Sequence, residues 1–171
     1  SVYENLAFSL RIRKIKQEEV HRRVVQAAQD FMAAAKAAGY SLQMISGYRS
    51  VETQTNLYND KISEYVNAGY SRADAETEAA KWVAVPRTSE HHTGLAFDLT
   101  VPGRFFGDTP QAQWLENHCF EHGFILRYTA NKEEITGFLP EPWHVRYVGE
   151  AHARFMEEHN LALEEYLALY R

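Results

Sequence analysis

The sequence predicts an α+β fold, one domain in which helices pack on one side of a small, mainly antiparallel sheet. Three observations predict it. Apolar residues recur at helical spacing through the first half of the chain, and short β-prone runs follow from residue 95 onward. Helical and strand-like segments are thus segregated rather than alternating, as in α+β domains. At 171 residues a single domain is the default, and a full core forms without staples. We take residues 1–171 as that domain, with core motifs over 41–150 and a helical tail over 150–171.

The elements follow in order. Gln17 to Ala38 reads as an amphipathic helix, because Val20, Val24, Ala27, Ala28, Phe31 and Ala35 share one face and Gly39 ends it. Leu42 to Ile45 is an apolar run that fits a buried strand. Ser50 is an N-cap for a helix to about Asn67. Ser71 and Asp74 resemble a capping box for a third helix through about Val83, stopped by Pro86. Leu95 to Val101 reads as a strand. Thr109-Pro110 opens a helix with proline at its first position, ending at Gly123. Phe124 to Tyr128 and Trp143 to Tyr147 read as two further strands. The tail from Glu150 is helical in pattern, with an interruption near Asn160.

Composition narrows the function. A formal charge of -5 carries no basic footprint for nucleic acid. Cys119 is the sole cysteine, so no internal disulfide forms, and a domain this large needs none. No run approaches the roughly 20 apolar residues of a membrane span. The first twenty residues scatter Arg11, Arg13, Lys14 and Lys16 among single apolar residues, with no signal-peptide core. The chain begins at Ser1, which suggests a processed or trimmed protein. A monomer is expected.

Chemistry concentrates in two segments, Ser89-Glu90-His91-His92-Thr93-Gly94-Leu95-Ala96-Phe97-Asp98 and Glu141-Pro142-Trp143-His144. His91, Asp98 and His144 make a set of two imidazoles and one carboxylate, the donor set of a catalytic zinc site with one position open to water. Glu141, three residues before the last ligand, is placed to take a proton from that water. His91 and Asp98 lie seven apart, so a turn at Thr93-Gly94 must feed a strand carrying Asp98. Gly94 would allow positive φ or close approach beside the metal. Pro142 excludes a regular helix between Glu141 and His144, which separates this pattern from the HExxH helix.

Ser-x-His-x-x-Gly-x-Ala-x-Asp followed by Glu-x-x-His resembles the zinc D,D-carboxypeptidases and dipeptidases of the VanY and VanX type, a group that includes L,D-carboxypeptidases acting on peptidoglycan tetrapeptides. Ser46-Gly47-Tyr48-Arg49-Ser50 with Gln54, and Gly123 to Tyr128, resemble further segments of that family. His92 departs from the glutamine expected in the carboxypeptidase branch. The resemblance implies one Zn2+ held by His91, Asp98 and His144 on the sheet. It implies Glu141 as general base and then acid, and Arg49 at the substrate carboxylate or the oxyanion. Ser89 and Gln54 would hydrogen-bond substrate, and Trp143 would pack beside the site. The implied substrate is a peptidoglycan stem peptide ending in D-Ala, cleaved with D,D- or L,D-specificity. A free D-Ala-D-Ala dipeptidase and a phage-type endopeptidase remain alternatives. The implied location is extracytoplasmic, with a cytoplasmic one also open.

Rival readings are specific. His118-Cys119-Phe120-Glu121-His122 matches the H-x-x-E-H pattern, and His118 and His122 would share a helix face. His122 at a helix C-terminus needs no metal, however, and Cys119 reads as a small buried apolar residue. His152 and His159 read as solvated. Tyr58, Tyr65 and Tyr70 could form a sugar-binding surface but at helical spacing fit a core. A non-catalytic zinc-stabilised cell-wall module is the alternative from another class. Glu141 separates the two, since a structural zinc site needs no base and closes its fourth position with protein.

Overall fold

α1 (Gln17–Ala37) is the first element of the computed structural model, which describes residues 17–170. The reading of the basic N-terminal stretch lies outside the described residues. The expected stripe on α1 is buried at Val20, Val24, Ala28, Phe31 and Ala35. α2 (Val51–Asn67) starts where Ser50 Oγ accepts the Thr53 N–H, and α3 (Arg72–Ala79) where Ser71 Oγ accepts the Asp74 N–H. α3 ends earlier than the expected Val83. The carbonyls beyond it serve tertiary partners instead: Lys81 O accepts from Leu139 N and Ala84 O from Gln54 Nε2. Tyr58 and Tyr65 pack on the cluster of Ile62, Ala75 and Ala79 between α2 and α3, and Tyr65 meets Tyr70 edge-on. The tyrosines there are helix-pair packing.

Strands β1 (Gln43–Ser46), β2 (Ala96–Thr100), β3 (Phe124–Tyr128) and β4 (Glu141–Tyr147) form one antiparallel sheet in the order β1-β2-β4-β3. The run at 42–45 was expected to be buried. Instead β1 is an edge strand, and Met44 and Ile45 are 47% and 64% exposed. Between β2 and β3, α4 (Pro110–His118) is capped by Thr109, and its last turn tightens to a 3-10 turn at Cys119–His122 before Gly123.

Strand alternation gives the sheet two different faces. Phe97, Leu99, Phe124 and Val145 enter the main core with Phe31 of α1 and Ala112 and Leu115 of α4. Each large side chain buried this way contributes roughly 1.5–3 kcal/mol. The residues one step along, Asp98, Ile125, Arg127, His144 and Arg146, point to the other face. There Ile125 packs with α6 (Glu150–Glu158) and α7 (Leu163–Ala168), which follow the short α5 (Glu133–Thr136). The helices thus divide between both faces of the sheet, where one covered side was expected. On this face α6 and α7 cover the β3 end, and the centre lies under the site cleft. The break between α6 and α7 falls at Asn160, in left-handed backbone at φ +48.

Gly123 joins these layers. Its φ is +81, and a Cβ there would lie 2.9 Å from Glu150 N and 3.0 Å from the Tyr147 ring. Its carbonyl also accepts from Val148 N and Gly149 N. Gly123→Ala is expected to cost about 2–4 kcal/mol, combining left-handed strain with overpacking against backbone. Equilibrium urea unfolding checks this, with a lower midpoint at unchanged slope.

Candidate metal centre

Sheet register brings the distant residues together. Asp98 of β2 stands opposite His144 of β4 and, on its other side, opposite Ser46 of β1. Ser46, Asp98 and His144 therefore form one cross-strand row on the open face, with directly opposed Cβ atoms about 4.5–5.5 Å apart. His91 arrives from a 3-10 turn (Glu90–Thr93) that Ser89 caps and Gly94 ends at φ +68. Gly94 thus meets the backbone half of its expected role. The other half fails, because a Cβ there would touch His21 at 3.5 Å rather than the metal ligands.

The His91 imidazole is aimed by its second nitrogen. His91 Nδ1 lies 2.7 Å from Gly47 O, which can only accept, so Nδ1 carries the hydrogen and Nε2 presents a lone pair. That Nε2 is 3.4 Å from Asp98 Oδ2. His144 Nδ1 is 3.3 Å from Asp98 Oδ1 and 3.2 Å from Glu141 Oε2. His91, Asp98 and His144 are all buried, and each offers a donor atom within 4.8 Å of the others. Asp98 Oδ1 has no hydrogen-bond partner, an unmet demand that a cation would satisfy. The three residues fit a single divalent ion, with Glu141 beside them and outside the ligand group.

The charges support that fit. Burial opposes the Asp98 carboxylate, yet His144 and His91 outweigh it and hold the carboxyl well below its ordinary range. Burial likewise opposes a charged His144, but Asp98, Glu141 and Glu90 together raise its pKa well above the usual imidazole value. A site that gathers this much negative charge around one imidazole favours a cation.

Arg49 leans over the row. Its Nη2 donates to Ser46 Oγ at 2.8 Å and approaches Asp98 Oδ2 at 3.4 Å, while Nη1 donates to Gln54 Oε1 at 2.9 Å. Gln54 is fully buried and donates its Nε2 to Ala84 O, so its amide ties Arg49 to the backbone at Ala84. Ser89 lines the cleft and also caps the His91 turn. His92 is half-buried. Its Nε2 accepts from Arg87 N, which leaves Nδ1 to donate to Arg49 O at 2.7 Å.

The cleft over this row encloses about 380 Å³, within the usual range of roughly 300–1,000 Å³ for small-ligand sites. Leu57, Trp82, Phe138 and Trp143 give it apolar walls, so Trp143 lines the site as well as packing beside it. Tyr128 also faces the cleft, its phenol pushed well above its ordinary pKa by burial and the Glu90 carboxylate, and so protonated.

The sequence reading missed Glu90, Arg127 and Arg146, all buried, with Glu90 3.8 Å from His144. Period-two alternation could have found Arg146, two residues beyond His144 on the same strand face. The other histidines go elsewhere. His118 stacks on Trp114 and faces Glu121, while His122 packs near Phe31. His159 is exposed as expected, but His152 is half-buried with Nδ1 2.6 Å from the Tyr166 hydroxyl. Cys119 is buried, and burial pushes its thiol up to about 12.

Comparison with known proteins matches residues 17–150 to the family model VanY, D-alanyl-D-alanine carboxypeptidase. A D-alanyl-D-alanine carboxypeptidase of Enterococcus faecalis is 43% identical over 150 residues, covering 88% of this chain and 56% of that protein. The chain spans about half the length of the first curated relatives it matches. VanYB in complex with D-alanine-D-alanine is 42% identical with a TM-score of 0.83, over 87% of this chain and 82% of that one. A mutant of the D,D-pentapeptidase VanY from a VanB-type resistance cassette, in complex with Zn(II), is 42% identical with a TM-score of 0.80, over 85% and 82%. No helix among the described residues is long and apolar enough to cross a membrane. With the family match spanning most of the chain and the four sequence motifs all lining one cleft, this chain belongs to the VanY family.

Proposed function

We propose that this chain is a zinc-dependent carboxypeptidase that removes the C-terminal D-alanine of peptidoglycan stem peptides, with peptides ending in D-Ala-D-Ala as its first substrates, outside the cytoplasm. The observation that carries the reading is the convergence of His91, Asp98 and His144 in a cleft where Glu141 stands 3.2 Å from a ligand nitrogen. A purely structural zinc site would have no use for that carboxylate or for the cleft. The VanYB complex with D-Ala-D-Ala supports the substrate, and the Zn(II) complex supports the metal.

When bound, zinc supplies Lewis-acid polarisation of the scissile carbonyl and acidifies water. His91 and His144 would hold it through ring nitrogens, that of His91 being Nε2 because Nδ1 donates to Gly47 O, and Asp98 would offer the charge. Glu141 takes the proton from the attacking water and passes it to the leaving amine of D-Ala. Arg49 donates from its planar fork to the oxygen that becomes negative as the carbonyl is attacked. Apolar walls at Trp82, Phe138 and Trp143 exclude bulk water from that exchange.

Synthetic penta-, tetra- and dipeptides ending in D-Ala, incubated with the purified protein and followed by mass spectrometry, test the reading. The pentapeptide is expected to lose one alanine, a chelator to stop the loss, and added zinc to restore it. Loss from the tetrapeptide alone would assign L,D-cleavage, and cleavage of the dipeptide alone a dipeptidase. A zinc-loaded protein that cleaves none of the three overturns the assignment.

A further inference from the structure

His144 has two nitrogens with separate tasks. Nδ1 faces Asp98 and Glu141, and Nε2 faces away from them toward Glu90. His144 Nε2 and Glu90 Oε2 are both buried without hydrogen-bond partners, and they lie 3.8 Å apart. That separation is ion-pair contact rather than a closed hydrogen bond. Glu90 is itself gripped from behind. Its Oε1 accepts from Arg127 Nε at 2.9 Å, and Arg146 Nη1 lies 3.7 Å from Oε2. The remaining nitrogens of Arg127 bind both carboxylate oxygens of Glu164 on α7, Nη1 donating at 3.0 Å to Oε2 and Nη2 to Oε1.

Glu164, Arg127, Glu90 and His144 thus form a continuous line from the C-terminal helix to the ligand row. Burying such charges is no route to stability, because apolar residues of similar volume commonly do as well or better. Arg127 uses one Glu90 oxygen and leaves the other aimed at the imidazole. A carboxylate at that nitrogen fixes which tautomer the ring adopts and which way it faces.

We propose that Glu90 is a positioning residue: its Oε2 keeps the His144 hydrogen on Nε2, leaving the Nδ1 lone pair for the metal, and Glu164 holds Glu90 in place through Arg127. This rests on the reading of His144 as a metal ligand. Glutamine at position 90 would keep the shape but offer one oxygen. With that oxygen on Arg127, the amide NH2 meets His144 Nε2, which must then accept, and the ring hydrogen moves to Nδ1.

The test uses the full chain and two variants, Glu90→Gln and Glu164→Gln, with zinc affinity read by competition against a chromophoric chelator. Imidazole 15N NMR, with zinc and, without it, at a pH high enough to leave His144 neutral, reports the tautomer. Zinc binding to the wild type is expected to shift the His144 resonances. Glu90→Gln is expected to weaken zinc by about 10–100-fold and to move the metal-free hydrogen from Nε2 to Nδ1. Glu164→Gln touches no ligand and leaves the Glu90 charge intact, and it is expected to weaken zinc by a smaller factor. A folded Glu90→Gln protein with wild-type zinc affinity and its hydrogen still on Nε2 overturns the proposal. If Glu90→Gln does not fold, Glu164→Gln decides, and unchanged zinc affinity there overturns it. Wild-type His144 resonances indifferent to zinc would instead remove the reading of the metal centre itself, and this proposal with it.

Discussion

Glu141→Gln is expected to bind zinc as the wild type does and to fold as well, while kcat on a D-Ala-D-Ala peptide falls by about 10²–10⁴-fold, the usual worth of a positioned general base. The substitution keeps the volume of a buried side chain at the start of β4, where the backbone pairs with Tyr128. It removes only the capacity to accept a proton next to His144 Nδ1. Because that capacity is used at the transition state, KM should change little and kcat should carry the loss. Stopped-time assays on protein of verified zinc content, beside thermal melts, check both halves. Full turnover in a zinc-loaded Glu141→Gln protein would remove Glu141 from the mechanism. A melt that collapses together with kcat would show a fold defect instead.

Local chemistry made much of the fold legible. Ser50, Ser71 and Thr109 announce helix starts because each cap acts within three residues. The α1 stripe is legible because one face of a helix repeats predictably. The ligand trio is legible as chemistry, since two imidazoles and a carboxylate are scarce in one short motif set. Its convergence is not. It depends on β2 pairing with β4 so that Asp98 meets His144, and register is a long-range outcome. β1 was misjudged for the same reason: an apolar run says nothing about whether the strand lies at an edge. α3 ends at Ala79, after which the chain leaves the helix through a turn in which Trp82 N and Val83 N both donate to Ala79 O, a choice the residue pattern does not mark. Glu90 and Arg127 escaped notice because charged residues usually mark solvent. Only the folded chain shows that each buries the other.

Arg49→Ala is expected to lower kcat/KM by about 10²–10³-fold, comparable to deleting one oxyanion donor. The split between kcat and KM then locates the guanidinium's partner. A grip on the substrate's terminal carboxylate acts equally in ground and transition states, so its loss raises KM alone. Loss of a bond to the developing oxyanion lowers kcat. The geometry favours the second outcome, because Nη2 lies 3.4 Å from Asp98 Oδ2, within the group proposed to hold the metal. Arg49→Lys should recover little. A single ammonium cannot reach Ser46, Gln54 and Asp98 together as the planar fork does. Some stability will be lost as well, since Arg49→Ala strands the buried Gln54 Oε1, at a cost of about 1–3 kcal/mol. Gln54→Leu separates the two effects. It frees Arg49 from its brace without deleting the cation, so catalysis should suffer less than in Arg49→Ala even where the melting temperature falls as far. Equal catalytic losses in both variants at equal melting temperatures would reduce Arg49 to a structural brace.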